Sequence, residues 1–404
     1  MRVLYVAAGI AAPGSHGGAT HVVEVAAGLA RLGHEVHVVC QRPKDTPPPQ
    51  QAERRLDAPQ WHWLPYPKSA GLLYYSTVAR LARELQPAVI IERFYNFAGV
   101  GMLVAHRRHI PAILEVNAPL VDPPGSRKTR LDRLVGQPLR RWAGRQCHYA
   151  SRIVTPLAST VPSSLEPDRS KICELPWGAN VERFDREAVL QQRGAEVADL
   201  RQRLGLSEGQ PVAVFSGSFR HWHGVDQLAT AALDVARRVP EAAFLLLGEG
   251  PLLEPVQAIA ASLGQRLITP GPVAYSDVPL YLTLASVGVA PFDPSRHEPL
   301  RLFGFYWSPL KIFEYMAMSL PTVTIRQSPL DCIIREGEEG LLYPAGDIPA
   351  LADRLSSLLA DPSTSARMGA SARQRVVAHY SWQEHCRSLE RIMGEIGQQS
   401  SGGL

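Results

Sequence analysis

Lysine is scarce in this chain of 404 residues, in which 42 residues are lysine or arginine. Only five of these are lysines, namely Lys44, Lys68, Lys128, Lys171 and Lys311. Arginine is therefore the usual cation, and a lysine inside a motif is unusual enough to note. The net charge of +4 is small for this length and predicts no general attraction for nucleic acid.

Long apolar runs are also missing. No stretch approaches the roughly 18 apolar residues that span a membrane, and the apolar start at residues 1–7 is too short for a signal peptide. The five cysteines form no CxxC pair and no Cys/His pair at metal-ligand spacing; they are Cys40, Cys147, Cys173, Cys332 and Cys386. An odd number of dispersed thiols predicts reduced cysteines. We therefore expect a cytoplasmic protein that is neither secreted nor integral to a membrane.

What is present is an ordinary globular composition with a repeated α/β pattern. Hydrophobic residues make up 45% and charged residues 20% of the chain, and the length predicts two or three domains. Short apolar segments alternate with amphipathic ones in both halves, which predicts parallel sheets covered by helices. Candidate strands lie at 2–7, 35–40, 61–66, 88–92, 112–116 and 152–156, and again at 211–217, 243–248, 267–269, 287–291, 322–325 and 340–343.

The segment 308–321 predicts a helix with a ligand-binding start. Ser308 is the predicted N-cap and Pro309 suits the first helical position. Unpaired N–H groups from Leu310 onward would then lie beside Lys311 and attract a phosphate. Glu314 follows three residues later on the same face, where a carboxylate accepts hydrogen bonds from ribose hydroxyls. A nucleoside diphosphate would satisfy both residues, and the alternative is a surface ion pair.

Glycine-rich loops follow several predicted strands. Ligands of parallel sheets bind beyond the carboxyl ends of the strands, and glycine lets them approach the backbone closely. The candidates are Gly17 and Gly18 at a helix start, Gly217 in the loop 217–226, and Gly248 with Gly250. The first loop is not GxGxxG, so an ordinary tight turn remains the alternative there.

Five features resemble, in order and spacing, the motifs of one enzyme family. They are Gly17-Gly18 with Leu32-Gly-His-Glu-Val36, then Leu175-Pro-Trp-Gly-Ala-Asn-Val-Glu-Arg-Phe184, the loop 217–226, Leu247-Gly-Glu-Gly-Pro251, and Phe313-Glu-Tyr-Met-Ala317. The family is the retaining nucleotide-sugar glycosyltransferases of the GT-B fold, family 4, or glycosyl transferases group 1. The resemblance covers nearly the whole chain and implies two Rossmann-like parallel-sheet domains that face a cleft.

The resemblance implies an acceptor-binding first domain at 1–187 and a nucleotide-sugar-binding second domain at 208–379. A helix at about 380–396 would pack back on the first domain, and the small residues at 397–404 predict a disordered tail. Between the domains, the polar residues 185–210 predict a linker or an exposed helix. The donor-binding residues would be Gly17, Gly18, Gly217, Ser218, Arg220, His223, Gly248, Gly250, Ser308, Pro309, Leu310, Lys311 and Glu314. No cofactor and no metal is implied, because backbone dipoles and cations can replace a metal.

Some positions depart from the family. Tyr306 stands where relatives have the first of two glutamates, and Glu298 is a nearby carboxylate that could replace it. Ser218 and His223 stand where relatives have an arginine and a lysine that contact the diphosphate. Arg220 and Lys311 could then supply the missing charge, which would give a rearranged phosphate site.

Asn117 stands where relatives place a histidine after the fifth strand, and its amide can bond a sugar hydroxyl. The family is usually described as attacking on the face from which the diphosphate departs, with a leaving-phosphate oxygen taking the acceptor proton. No protein base is then required, and the implied catalytic residues are Asn117, Lys311 and Glu314.

Glu92, Arg93 and Glu115 lie at predicted strand ends and are the predicted acceptor-binding residues. The alternative for Glu92 is an internal ion pair with Arg93 or another arginine. His16 and His21 flank the first glycine loop and are expected to be structural or solvated.

The segment 127–152 is rich in cations and contains one acid, Asp132. Its cations are Arg127, Lys128, Arg130, Arg133, Arg140, Arg141, Arg145 and Arg152. Apolar residues lie between them, which predicts contact with an anionic membrane surface and suits a lipid-linked acceptor. The alternative is a solvated arginine-rich helix. No nucleic-acid-binding motif accompanies the charge.

The predicted function is sugar transfer from a UDP or GDP donor to a glycan, lipid-linked or small-molecule acceptor, in polysaccharide biosynthesis, in the cytoplasm or at the inner membrane face. The rival is a nucleotide-sugar-binding protein of the same fold with lost or altered catalysis, as an epimerase, hydrolase or scaffold. Tyr306 and Ser218 favour a scaffold that has lost catalysis, whereas Asn117 in place of the usual histidine counts against an epimerase or hydrolase.

Overall fold

The computed structural model describes residues 1–14, 17–43, 58–64, 71 and 73–401. The chain divides into two compact units. The first contains Met1–Trp177, Tyr306–Ser308 and Trp382–Leu404, and the second contains Gly178–Phe305 and Pro309–Ser381.

The first unit ends at Trp177, whereas the sequence predicted an end at residue 187. The difference has a physical cause. Arg373 donates hydrogen bonds to the carbonyl oxygens of Val181 and Phe184, each at 2.9 Å, and pairs with Asp185 at 2.7 Å. These contacts hold residues 178–185 in the second unit.

A seven-stranded parallel sheet forms the centre of the first unit, in the order β3-β2-β1-β4-β5-β6-β7. The strands are β1 (Arg2–Ala11), β2 (Glu35–Gln41), β3 (Gln60–Leu64), β4 (Val89–Arg93), β5 (Ala112–Glu115), β6 (Arg152–Thr155) and β7 (Ile172–Glu174). The helices before Trp177 are α1 (Gly17–Arg31), α2 (Tyr75–Leu85), α3 (Val100–Arg108), α4 (Arg127–Leu134) and α5 (Pro138–Tyr149).

The burial of the strands explains which of them the sequence revealed. Residues 3–8 of β1 are each 0% exposed, and a parallel strand covered on both faces is a continuous apolar run. The edge strand β7 has only three residues, none of them buried, so it carries no such pattern and was not predicted.

The second unit is built on a six-stranded parallel sheet, in the order β10-β9-β8-β11-β12-β13. Its strands are β8 (Val212–Ser216), β9 (Ala243–Leu247), β10 (Leu267–Gly271), β11 (Val287–Ala290), β12 (Thr322–Ile325) and β13 (Gly340–Tyr343). Its helices are α6 (Arg186–Arg203), α7 (Val225–Arg238), α8 (Leu253–Leu263), α9 (Val278–Thr283), α10 (Glu298–Phe303), α11 (Leu310–Ala317), α12 (Leu330–Ile333), α13 (Ile348–Ala360) and α14 (Pro362–His379). The predicted α/β class with two parallel sheets is confirmed.

The last helix, α15 (Trp382–Ser401), belongs to the first unit and packs on α1. His34 Nε2 lies 2.9 Å from Glu390 Oε1, and Met393 and Ile396 are each 1% exposed. The prediction of a disordered tail was therefore wrong for 397–401, because the buried residues anchor the helix and it continues past them; 402–404 lie outside the described residues. Within the described part of the chain, no helix is both long and apolar enough to cross a membrane.

Candidate functional site

The start of α11 differs from the prediction. The helix begins at Leu310 with Pro309 as its N-cap, and the Pro309 carbonyl accepts from the backbone N–H of Ile312 at 2.8 Å. Ser308 is not the N-cap, because its Oγ accepts a hydrogen bond from the Trp177 backbone N–H at 3.0 Å within the first unit. The N-cap prediction for Ser308 was therefore wrong, and its contact with the donor stays a prediction.

Lys311 presents a shielded ammonium group. Its Nζ lies 4.0 Å from the ring centroid of Phe215 and 5.2 Å from that of Phe292, and it has no hydrogen-bond partner among the described residues. Burial lowers the pKa of Lys311 to about 7, which the neighbouring Glu314 opposes. An unpaired buried cation is costly unless an anion joins it, so this group is suited to a phosphate.

Gly217 and His223 lie directly beside this ammonium group. Gly217 has a φ of +145°, which strains any other residue, and a Cβ added there would lie 2.7 Å from Lys311 Nζ and displace it. The His223 Nδ1–H donates to the Ser218 carbonyl at 2.8 Å. Burial and then Lys311 lower the pKa of His223, so its ring is neutral in the free protein. Binding of a diphosphate would favour a proton on Nε2.

The other glycines of the predicted phosphate site serve packing between two loops. A Cβ at Gly248 would collide with the Gly217 carbonyl oxygen, and one at Gly250 would lie 2.7 Å from the Phe219 carbonyl oxygen. This packing explains why both positions are glycine, and their contact with the donor stays a prediction. Arg220 is exposed, with its guanidinium 5.4 Å from the Trp222 ring centroid.

Glu314 is the second buried ionisable group of α11 and is 6% exposed. The phenolic hydroxyl of Tyr275 donates to its Oε1 at 3.1 Å. Burial raises the pKa of Glu314 to about 7, against the lowering effects of Tyr275, Lys311 and Arg183. The sequence analysis did not identify Tyr275. A signal was present, because Tyr275 lies in the loop after β10, and ligands of parallel sheets bind beyond the carboxyl ends of the strands.

The position of the absent glutamate and its expected replacement are in different parts of the chain. Tyr306 belongs to the first unit, where burial raises its pKa to about 12 and Trp307 lies 5.8 Å away between ring centroids. Glu298 is an exposed residue at the start of α10. In the described residues it makes no hydrogen bond or ion pair with Lys311 or Glu314.

Glu92 has a structural role in the first unit. Its side chain is 0% exposed, and its carboxylate accepts from the backbone N–H groups of Gly99 at 3.0 Å and Gly101 at 2.7 Å. Burial raises its pKa to about 8. The predicted acceptor contact and the alternative pairing with Arg93 were both wrong, because this carboxylate holds the start of α3.

Arg93 and Glu115 are also engaged inside the first unit. Arg93 Nη1 donates to His21 Nδ1 at 2.7 Å and lies 3.5 Å from Glu115 Oε2. The Tyr5 hydroxyl donates to Glu115 Oε2 at 2.8 Å. Arg93 is 7% and Glu115 2% exposed, so the prediction that they bind acceptor is corrected to a buried network. His21 is structural, as expected, and His16 lies outside the described residues.

His21, Glu115 and His385 form a buried group whose ligand atoms lie within 4.8 Å of one another, close enough for a metal ion. The neighbouring Arg93 makes the fit poor. A guanidinium only donates, so His21 Nδ1 accepts from Arg93 and the neutral ring carries its hydrogen on Nε2, the atom that would face the metal. The nearby positive charge also opposes a cation.

Asn117 has a fixed amide orientation. The indole N–H of Trp177 donates to Asn117 Oδ1 at 2.7 Å, and the buried Nδ2 faces the Glu115 carboxylate, whose pKa the Asn117 side chain lowers. An indole nitrogen only donates, so the amide oxygen must face it. Since an amide nitrogen carries two N–H groups, Asn117 has a second donor besides the one directed at Glu115. Gly17 and Gly18 begin α1 and are half-buried.

The arginine-rich segment forms two helices of different character. The helix α4 has no buried residue, and the apolar side chains at its end are strongly exposed: Leu131 at 63%, Leu134 at 81% and Val135 at 71%. The helix α5 instead buries Ala143, Gln146 and Cys147. Only α4 therefore carries exposed apolar residues among its cations.

Two family models match the chain. The model described as Glycosyltransferase Family 4 matches residues 15–183, and the model described as Glycosyl transferases group 1 matches residues 210–361. The alpha-D-kanosaminyltransferase of Streptomyces kanamyceticus is 28% identical over 278 residues, 67% of this chain and 67% of that protein. The GDP-mannose-dependent alpha-(1-6)-phosphatidylinositol monomannoside mannosyltransferase of Mycolicibacterium smegmatis is 26% identical over 221 residues, 54% of this chain and 55% of that protein.

Solved structures match almost the full length of the chain. Sucrose-phosphate synthase from Thermosynechococcus elongatus has a TM-score of 0.72 at 18% identity and covers 98% of both chains. HepE of Anabaena in complex with UDP has a TM-score of 0.69 at 15% identity, covering 98% of this chain and 100% of the other. The fold, the two matching models and the relatives agree: the chain belongs to the family 4 glycosyltransferases of the GT-B fold.

Proposed function

We propose that this protein transfers a hexose, with retention of configuration, from a nucleoside diphosphate donor to a hydroxyl acceptor. The observation that carries the proposal is the buried Lys311 ammonium, which has no hydrogen-bond partner in the described residues and lies on α11 with Glu314. An anion is the partner that this cation lacks. A ribose hydroxyl is a suitable partner for Glu314.

The leaving diphosphate would be stabilised by Lys311 and by the loop beside it. Lys311 supplies positive charge, and His223 adds a second charge once the diphosphate favours its protonation. The acceptor hydroxyl forms its bond to the anomeric carbon on the face where the bond to the diphosphate breaks. Its proton passes to a departing phosphate oxygen, so no side chain of the protein acts as base. Asn117 would orient a sugar hydroxyl through Nδ2.

The donor is proposed to be a UDP or GDP sugar. HepE is described in complex with UDP, and the Mycolicibacterium smegmatis relative is described as GDP-mannose-dependent. No metal is needed in this proposal, because Lys311 provides charge that a cation would otherwise provide.

The acceptor is proposed to be lipid-linked and reached at the inner face of a membrane. The Mycolicibacterium smegmatis relative is named as a phosphatidylinositol monomannoside mannosyltransferase. The basic helix α4, with Leu131 and Leu134 exposed, fits an anionic lipid surface.

The test is binding and turnover with a panel of UDP, GDP, ADP and TDP and their sugars, with Mg²⁺ and with EDTA. We expect one diphosphate to stabilise the protein against heating in EDTA and its sugar to be transferred with retention. Stabilisation without transfer would support the rival binding protein, which Tyr306 in the first unit and the exposed Ser218 favour. No stabilisation by any diphosphate would overturn the proposal.

A further inference from the structure

The carboxylate of Glu314 already has one oxygen engaged. Tyr275, in the loop between β10 and α9, donates its phenolic hydrogen to Oε1 at 3.1 Å. No hydrogen bond to Oε2 is found in the described part of the chain. A ligand that reaches Glu314 therefore meets one available oxygen and one phenol.

The ring of Tyr275 is held in place by contacts with Phe184 and Arg183. Its ring centroid lies 5.6 Å from that of Phe184, which is fully buried, and the Arg183 guanidinium lies 5.2 Å from the Tyr275 ring centroid. Arg183 and the Tyr275 hydrogen bond both lower the pKa of Glu314 against the larger effect of burial. Both neighbours thus favour the carboxylate form, which accepts hydrogen bonds only.

A ribose has two neighbouring hydroxyl groups to place. A carboxylate with both oxygens available could accept from both, but Glu314 has only Oε2 to offer in this arrangement. A phenol that donates its hydrogen still accepts through its oxygen. Oη of Tyr275 is therefore the second acceptor at this place.

We propose that Tyr275 and Glu314 bind the ribose diol together, with one hydroxyl donating to Glu314 Oε2 and the other to Tyr275 Oη. The inference rests on the proposed nucleotide site and adds a residue that determines specificity for ribose over deoxyribose. Tyr275 stays hydrogen-bonded to Glu314 when the nucleotide is bound. The rival arrangement is displacement, in which the diol takes both carboxylate oxygens and releases Tyr275.

The experiment combines a protein variant with altered ligands. Affinities of wild type and Tyr275→Phe are measured by titration calorimetry for UDP, GDP and their 2′-deoxy and 3′-deoxy forms. We expect Tyr275→Phe to weaken the ribonucleotide that binds by about 3- to 10-fold, the value of one neutral hydrogen bond. One of the two deoxy forms should be insensitive to the substitution, because it lacks the hydroxyl that contacts Oη.

Tyr281→Phe is the matched control, since Tyr281 lies on α9 and makes no contact with Glu314 in the described residues. It should leave all affinities unchanged. Thermal unfolding of both variants checks that they are folded.

Three outcomes would overturn the inference. Tighter ribonucleotide binding by Tyr275→Phe indicates displacement, unchanged binding removes Tyr275 from the site, and equal weakening of all forms indicates a general structural effect. The proposed function fails in a different way, when the wild type binds no nucleoside diphosphate at all. Nucleotide binding that is lost in Lys311→Met but shows no coupling to Tyr275 refutes only the inference.

Discussion

The indole N–H of Trp177 and the amide oxygen of Asn117 are joined by a hydrogen bond of 2.7 Å. This bond fixes the orientation of the Asn117 amide, with Oδ1 toward the indole and Nδ2 on the other side. In Trp177→Phe the amide can turn, and we expect turnover to fall about 3- to 10-fold, by the loss of one hydrogen bond, while nucleotide affinity stays unchanged. Steady-state kinetics with calorimetry measures both.

Trp142→Phe is the control for this prediction, because the Trp142 indole donates to the Ala98 carbonyl at 2.6 Å within the same unit. Equal losses of turnover in the two variants, or no loss in Trp177→Phe, would contradict the role given to Asn117.

Lys311→Met should have opposite effects on binding and on stability. It removes a charge-assisted contact with the diphosphate, so affinity should fall by about 10- to 100-fold. It also replaces a shielded cation between Phe215 and Phe292 with an apolar chain, so the free energy of unfolding should rise by about 1 kcal/mol or more. Denaturant unfolding and nucleotide titration test the two signs. The control is Lys171→Met, because Lys171 Nζ donates to the His148 carbonyl oxygen in the wild type. A fall in both nucleotide affinity and the free energy of unfolding for Lys311→Met would count against the assignment.

The stability difference between Lys311→Met and wild type should depend on pH. The pKa of Lys311 is about 7 in the folded protein, below its ordinary value of 10.5. Between these two pH values, the Lys311 side chain binds more protons in the unfolded chain than in the folded protein. The free energy of unfolding of the wild type therefore rises with pH in this range. The advantage of Lys311→Met should therefore be largest below pH 7 and shrink toward pH 10. A constant advantage across this range would show that Lys311 titrates normally.

Glu92→Gln tests the structural role of that residue. Its amide nitrogen cannot accept from Gly99 or Gly101, so one buried N–H loses its partner and the free energy of unfolding should fall by about 1 to 3 kcal/mol. The KM for acceptor should not change. Glu84→Gln is the control, since Glu84 lies on α2 in an exposed pair with Arg80. A raised KM with normal stability would restore the acceptor role.

The exposed end of α4 should bind anionic vesicles. Replacing Leu131 and Leu134 with serine removes two side chains that would enter the lipid, each worth about 1.5 to 3 kcal/mol when fully buried. Co-sedimentation with phosphatidylglycerol vesicles should fall at least about 10-fold, and raised salt should weaken the wild type. Phosphatidylcholine vesicles and Leu302→Ser, with a leucine 52% exposed on α10, are the controls. Unchanged binding of the double variant would leave α4 as a solvated helix.

Local patterns predicted the elements well and the roles of buried charges poorly. The apolar run at residues 3–8 predicts β1, because every residue of a fully buried strand is apolar and the pattern is therefore local in the sequence. Glu92 and Arg93 are adjacent polar residues at a strand end. Nothing in their spacing shows that Glu92 accepts hydrogen bonds from the backbone at the start of α3, or that Arg93 donates to His21. Such partners are distant in sequence and are selected by packing.

The sequence by itself determined the two parallel α/β sheets, the family motifs, and Lys311 and Glu314 as a pair on one helix, since each depends on periodicity or short spacing. Tertiary structure alone decided that Ser308 belongs to the first unit and that Tyr275 holds Glu314. The physical reason is that a hydrogen bond depends on distance and direction in space. Tyr275 and Glu314 are 39 residues apart in the chain, and only the folded sheet brings their oxygen atoms to 3.1 Å.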